Sequence, residues 1–251
     1  MKQKIITIAN HKGGVSKTTS TASIGACMAQ MGKKVLLIDL DGQANLTLYF
    51  IPNEDDVETS IFDALVGGAP LPVKHIRENL DLVPSSLEMA SAEIALTNLL
   101  AREQLLCRLL APIRQDYDYI LIDCPPSLGI VTTNAFLAAD EIIVPMTPEL
   151  LPLKGMRMLD AFVTTLQRVK PSLRLGGGVF IARFNHRKLN KVVEQAVKSR
   201  YESITMKTRI RENIALAESA GSGKSIFEYD PSSNGAKDYL ALTQEIISRN
   251  Q

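Results

Sequence analysis

HKGGVSKTT, residues His11–Thr19, is the stretch from which the architecture follows. A short apolar run, Ile5–Ala9, precedes it and reads as a buried strand, and Ser20–Met31 follows it and reads as a helix. Strand, glycine turn and helix in that order form the setting in which a backbone loop wraps phosphate. Gly13 and Gly14 carry no side chain, so successive N–H groups can turn inward and approach an anion closely. The helix starting near Lys17 aims its positive dipole end at the same place. Lys17 would bring a positive charge to the β- and γ-phosphates of a nucleotide, and Thr18 a hydroxyl to Mg2+. Val15, Ser16 and Thr19 complete the candidate cradle. The strict pattern asks for Gly at the positions of His11 and Ser16. By pattern alone, a glycine-rich turn with a lysine nearby therefore stays open as the other reading.

Two more apolar strands end in acids. Lys34–Leu40, KVLLIDL, runs into Asp39-Leu40-Asp41 and then Gly42-Gln43-Ala44-Asn45. Carboxylates delivered to the C-terminal end of a strand lie where α/β proteins bind ligands. If the strand held that far, alternation would point Asp39 and Asp41 the same way; a solvated turn rich in Asp, Gly and Asn is the plainer reading. Tyr117–Gly129, YDYILIDCPPSLG, contains a third strand, Tyr119–Ile122, ending at Asp123. An acid placed there beside a phosphate loop can hold Mg2+, directly or through water. Three apolar strands that all end at phosphate or carboxylate candidates favour one nucleotide site.

The rest of the chain suits an α/β fold, with a mostly parallel central sheet and helices on both faces. Its 251 residues are 45% hydrophobic but only 5% aromatic, with no Trp, which fits a core of Ile, Leu, Val and Ala. A single domain spanning residues 1–251 is expected. The net charge of +1 gives no bulk attraction to nucleic acid or membrane, so only a local patch could supply it. Cys27, Cys107 and Cys124 form no CxxC pair, which argues against a zinc site or disulfide framework and for a reducing cytoplasm. The N-terminal apolar run is too short for a signal peptide, and no stretch approaches the roughly 18 apolar residues of a spanning helix.

Along the remaining sequence, Asn45–Asp56 reads as loop, and Ser60–Val66 as a short helix capped by Thr59 or Ser60. Asn79–Val83 reads as a short strand, and Leu87–Leu99 and Glu103–Leu110 as helices. Ser127–Ala138 reads as a helix and Glu141–Pro145 as a strand; the loop Thr147–Lys154 then leads into a helix running to about Arg168. Gly177–Ala182 is a further strand, ending in Arg183-Phe184-Asn185. From Arg183 to Arg211 there are nine Lys or Arg against Glu194 and Glu202, an imbalance that fits either a solvated helix face or a DNA-phosphate surface. The last helix, Ala236–Ser248, places Tyr239, Leu242 and Ile246 on one stripe; its few basic residues suit packing on the sheet better than a membrane.

KGGVxKTT resembles the deviant phosphate loop of the ParA/MinD superfamily of P-loop ATPases, and three other stretches carry the same resemblance. Asp39–Asn45 is similar to DxDPQGN, Ile122–Gly129 to the Walker B strand and its switch, and Thr208–Tyr239 to the tail of the partition branch. The resemblance implies ATP and Mg2+, with Lys12 reaching the partner's phosphates across an ATP-dependent homodimer. It implies that Asp41 positions the attacking water, that Asp39 lies near the Mg2+ served by Thr18 and Asp123, and that Asn185 lies against adenine, a turn Asn being the other reading. It also implies nonspecific double-stranded DNA as a partner, through Lys198, Arg200, Lys207, Arg209 and Arg211. A ParB-like DNA-bound activator, no membrane contact and a nucleoid-associated place in the bacterial cytoplasm complete the expectation.

The chain departs from the family pattern at Ser16 and Ala44, where Gly is usual, and at Gly42, where Pro is usual. In the tail, Arg211 stands for Pro, Glu212 for Arg and Ala215 for a common basic residue. A β-carbon at Ser16 crowds the phosphates, which predicts retained binding and slow turnover. The loop begins ten residues into the chain, so no separate N-terminal DNA-reading domain is expected. The rival expectations are a MinD-like regulator that positions a protein or membrane cargo without DNA, and an iron–sulfur carrier, which would need a cysteine pair of recognisable spacing.

Overall fold

Every strand but one runs in the same direction, and the sheet's C-terminal edge gathers the loops singled out above. The structure, a computed structural model, describes residues 3–148, 152–185 and 187–249. The strands are β1 (Lys4–Ile8), β2 (Val35–Asp39), β3 (Lys74–Arg77), β4 (Leu80–Val83), β5 (Tyr119–Asp123), β6 (Glu141–Met146) and β7 (Gly178–Ile181). They lie in the order β3-β4-β2-β5-β1-β6-β7. Among the described residues only β3 pairs antiparallel, against β4. The helices are α1 (Lys17–Gln30), α2 (Asn45–Phe50), α3 (Ile61–Gly67), α4 (Ala92–Ala95), α5 (Leu105–Leu110) and α6 (Ile130–Ala138), followed by α7 (Pro152–Leu166), α8 (Lys188–Tyr201), α9 (Ala215–Gly221), α10 (Ile226–Tyr229) and α11 (Asn234–Arg249).

Neighbouring residues on the central strands enter opposite cores, as parallel strands covered on both faces must. Ile5, Leu36, Ile38, Ile120 and Ile122 join one cluster, with side chains from α3, α5, α6 and α7. Ile6, Val35, Leu37 and Leu121 join the other, beneath Ala22, Ile24 and Met28 of α1 and Tyr239, Leu242 and Ile246 of α11. The stripe expected on the last helix is therefore buried against the sheet, while Leu240 beside it stays exposed.

The two flanks of the sheet end differently. β3 is four residues long, KHIR, and mostly polar. On the other flank, Thr205–Arg211 lies along β7: Met206 N–H donates to Val179 O at 2.8 Å and Ile210 N–H to Ile181 O at 2.9 Å.

Several sequence expectations need correction. Asn45–Asp56 is not all loop: α2 occupies Asn45–Phe50 and a 3-10 turn Glu54–Asp56. β2 stops at Asp39, and Asp41 N–H turns back to Asp39 Oδ1 at 3.1 Å, so the two aspartates do not share a strand face. β3 carries no apolar run and was not expected. The helix expected over Leu87–Leu99 is broken into 3-10 turns on either side of the four-residue α4. α5 begins only at Leu105, because Asn134 of α6 accepts from Leu106 N–H and donates to Arg102 O. α6 begins at Ile130 rather than Ser127, where the Glu93 carboxylate accepts the Ile130 N–H at 2.9 Å. Ser60, not Thr59, caps α3, in a reciprocal box with Asp63. Of the loop Thr147–Lys154, Glu149, Leu150 and Leu151 lie outside the described residues.

Candidate nucleotide site

The turn after β1 is built from two left-handed residues on either side of Val15, Gly14 at φ 71° and Ser16 at φ 66°. Such alternation curls the backbone so that its N–H groups converge on one concavity. Glycine adopts this conformation freely; for a residue with a β-carbon it costs about 1 kcal/mol. The glycine usual at position 16 in the resembled loop thus has a backbone reason, and Ser16 meets the same demand under strain. Ser16 O accepts from Ser20 N–H at 2.9 Å and from Ser20 Oγ at 2.6 Å, which fixes the peptide from the helix side.

The loop is tied to the sheet by Asn10, whose Nδ2 donates to Pro145 O at 2.7 Å and whose Oδ1 accepts from Lys12 N–H at 3.1 Å. Lys17 is only 6% exposed, and its Nζ donates to Lys12 O at 3.3 Å, so its ammonium is folded across the loop. Lys12 is exposed and lines a neighbouring cavity, not the one that holds Lys17 and Thr18. His11 Nδ1 is buried with no hydrogen-bond partner among the described residues.

Strand register brings the acids together. Asp123 faces Asp39 across β5–β2 and Ile8 across β5–β1. Thr18 Oγ1 donates to Asp123 Oδ2 at 2.6 Å, and Thr21 Oγ1 reaches Asp123 Oδ1 at 3.3 Å. Asp39 takes its bonds elsewhere: Oδ2 accepts from Thr47 N–H and Oγ1, both at 2.8 Å, and Oδ1 from Asp41 N–H. Desolvation raises the pKa of both carboxyls above the ordinary carboxylate range, and for Asp123 the neighbouring Asp39 charge raises it further. Two buried acids side by side favour a proton or a cation. A Thr hydroxyl and a carboxylate beside a phosphate loop fit Mg2+, which takes one or two protein oxygens together with substrate phosphates.

Asp41 is half-buried at the mouth of a cavity of about 1140 Å³ that also holds Gly14, Ser16, Lys17 and Thr18. Asp41 Oδ1 accepts from Gln43 N–H at 3.0 Å, and Ser85 Oγ donates to Asp41 O at 2.8 Å. Ala44, at φ 50°, ends this second loop.

Asn185 borders the neighbouring cavity, of about 1070 Å³, together with Lys12. Its Nδ2 donates to Glu212 Oε2 at 3.2 Å, and Glu212 also lies 3.7 Å from Arg183. Arg183, with a left-handed backbone, lines both cavities. Its placement went unread in the sequence, where it counted only as one more basic residue.

The basic stretch is less free than its charge suggests. Glu194, nearly buried, accepts from Lys198 at 2.8 Å and from Arg209 at 2.7 Å. Arg209 also lies 4.7 Å above the Phe184 ring. Arg211 forms a fork with Asp238, at 2.7 Å from Nη2 and 2.9 Å from Nε. Arg200 rests over Tyr201, and Lys207 is anchored through its backbone N–H to Glu245. Three of the five proposed DNA contacts are therefore paired within the chain.

A family profile described as AAA domain matches residues 3–175. The chain is 40% identical over 250 residues to the sporulation initiation inhibitor protein Soj of Bacillus subtilis, covering 98% of each chain. It is 35% identical over 259 residues to the chromosome-partitioning ATPase Soj of Treponema pallidum, again covering 98% of each. Among solved structures, a candidate plasmid partition protein of Borrelia burgdorferi bound to AMPPNP superposes over 100% of both chains, with a TM-score of 0.86 and 29% identity.

Proposed function

The chain belongs to the ParA/Soj family of P-loop ATPases, and from that membership and its site geometry we propose an ATP-driven dimerising switch that binds DNA without reading its sequence and partitions or positions a DNA cargo. The observation that carries this reading is the 2.6 Å contact of Thr18 with Asp123, at the foot of a left-handed loop with Lys17 beside it. That constellation suits phosphoryl chemistry, in which the protein chiefly positions groups and stabilises charge.

Each residue then has a task. The N–H groups of Gly13, Gly14, Val15, Ser16, Thr18 and Thr19 cradle phosphate oxygens. Lys17 swings from Lys12 O to the β- and γ-phosphates. Thr18 and Asp123 hold Mg2+, which supplies charge neutralisation when bound, and Asp39 supports that pair by fixing Thr47 and the start of the Asp41 loop. Asp41, at the cavity mouth, orients water for attack on the γ-phosphate. Lys12, exposed beside the adjoining cavity, neutralises phosphate charge on a second copy. Asn185 serves as a base contact from that adjoining cavity.

The dimer joins two basic surfaces and raises DNA affinity by avidity; hydrolysis separates them. The whole chain acts as one domain, in the bacterial cytoplasm on the nucleoid, with a ParB-like DNA-bound protein stimulating turnover. A second reading, a nucleotide switch acting on a protein cargo without DNA, is favoured by the internal pairing of Lys198, Arg209 and Arg211.

Binding of nonspecific double-stranded DNA decides between them, measured at low and moderate salt with ATP, with ADP, and for Asp41→Ala with ATP. Salt-sensitive binding that needs ATP and strengthens in Asp41→Ala is expected. Equal, absent binding in all three states leaves the protein-cargo switch.

A further inference from the structure

We propose that Tyr239 is a positioning residue for the phosphate loop: its hydroxyl, acting through Ser20, holds the Ser16 peptide in its left-handed conformation. The inference rests on the nucleotide reading above and concerns residues that reading does not use. Ser16 O can only accept, and it takes the single hydroxyl proton of Ser20 across 2.6 Å. Ser20 Oγ also lies 2.9 Å from Tyr239 Oη. With its own proton committed to Ser16, Ser20 can meet Tyr239 only as acceptor, so Tyr239 donates. Burial pushes the Tyr239 phenol well above its ordinary pKa, which keeps that donor proton in place.

The order of donation is thus fixed from one end to the other: Tyr239 to Ser20 to Ser16. Ser20 and Tyr239 are both fully buried, so bulk water does not compete for these bonds. Tyr239 lies on α11, whose stripe packs into the same core as α1, and it also forms part of the wall of the Lys17 cavity. A hydroxyl 219 positions beyond Ser20 in sequence therefore props, through Ser20, the one residue of the loop whose backbone is strained by its own β-carbon. A glycine at position 16 would need no such prop, because it takes positive φ unaided.

The test is a double-mutant cycle in ATP affinity, with Mg2+ present, on wild type, Tyr239→Phe, Ser16→Gly and the double variant, with thermal midpoints measured on all four. Tyr239→Phe keeps the ring and removes one oxygen; it is expected to weaken ATP binding about fivefold, the scale of one lost hydrogen bond. In the Ser16→Gly background the same change is expected to shift affinity by less than about twofold, the signature of coupled residues. Ser20→Ala should reproduce Tyr239→Phe, which keeps the test available if the helix variant folds poorly. Unchanged ATP affinity in Tyr239→Phe overturns the inference. So does an equal loss in both backgrounds, which would mark Tyr239 as a packing residue that does not act through Ser16. A wild-type protein that binds no ATP overturns the nucleotide reading itself; wild-type binding with an indifferent Tyr239→Phe overturns this inference alone.

Discussion

Ser16 and Ala44 stand at matching places in two loops. Each precedes a helix, each has a left-handed backbone, with φ 66° and φ 50°, and neither caps its helix with a side-chain hydrogen bond. Each also replaces a glycine usual in the family that the sequence resembles. What holds them differs. Ser16 is propped from behind by buried hydroxyls of α1 and α11. Ala44 is held by its neighbours: its N–H donates to Asp41 O at 2.9 Å, its carbonyl accepts Leu48 N–H at 2.9 Å, and Asp41 is itself pinned by Gln43 N–H. The Ala44 loop adds one long-range constraint, since a β-carbon on Gly42 would come 2.6 Å from Ala90 N and 2.9 Å from Ala90 Cα. Both loops tolerate a β-carbon under strain, and the second has also closed up around Gly42, which carries none. Restoring the family's usual residue should therefore act in opposite directions at Ser16, where glycine relieves strain, and at Gly42, where proline meets Ala90.

The largest expected effect lies in the Asp41 loop. Asp41→Ala should lower the ATP hydrolysis rate by about 10²- to 10³-fold, the range for losing a group that manages the attacking water, while ATP binding persists. Steady-state kinetics alongside nucleotide binding would check this, and a matching loss of binding would move Asp41 from chemistry to the cradle. Next comes Gly42→Pro, the family's own residue. It should destabilise the protein by about 1–3 kcal/mol through overlap with the Ala90 backbone, read from urea unfolding; a stabilised variant would show that this loop has no tight partner.

The third expectation is a pH dependence. Asp39 and Asp123 have folded pKa values above their unfolded ones, so the folded state binds more protons. Stability of the nucleotide-free protein should thus rise as pH falls from about 8 towards about 4, by about 1 kcal/mol per pH unit for each group below its folded pKa, Asp123 first and Asp39 from about 6. Unfolding midpoints with and without Mg2+ and ATP would test this, because the rise should flatten when a cation holds the carboxylates ionised. The smallest effect is Ser16→Gly, expected to stabilise by about 0.5–1 kcal/mol as the left-handed strain is relieved. It should also speed hydrolysis by removing a β-carbon that crowds the phosphates; an unchanged rate would refute that part.

The site was more legible than its surroundings. His11–Thr19, the Asp39–Asn45 segment and Asp123 could be read because local chemistry dictates them: glycine for a tight turn, acids at strand ends, a lysine beside a helix start. Their convergence on one edge of the sheet is a matter of register, and three apolar strands sufficed to foresee it. The helical turns between Leu87 and Leu110 could not be read, because what interrupts them is distant in sequence, in Ile130 and Asn134. β3 was invisible for the opposite reason: KHIR has no apolar pattern and is a strand only because β4 lies beside it. The pairing within the basic stretch was half visible: Glu194, which takes Lys198 and Arg209, lies inside the window over which charge was counted, and Asp238, which takes Arg211, lies outside it.

The flanks of the sheet limit how copies of this chain can associate. A bare edge strand is a template that any neighbouring strand can join, without regard to nucleotide. Here one flank ends in a short polar strand and the other is overlaid by Thr205–Arg211, so edge-to-edge growth into ribbons or fibrils is discouraged on the first side and obstructed on the second. On the reading proposed above, copies would instead meet at the C-terminal rim, which carries the strained loop and the paired acids. A nucleotide bound at that rim would change its charge, which would make self-association there conditional instead of permanent.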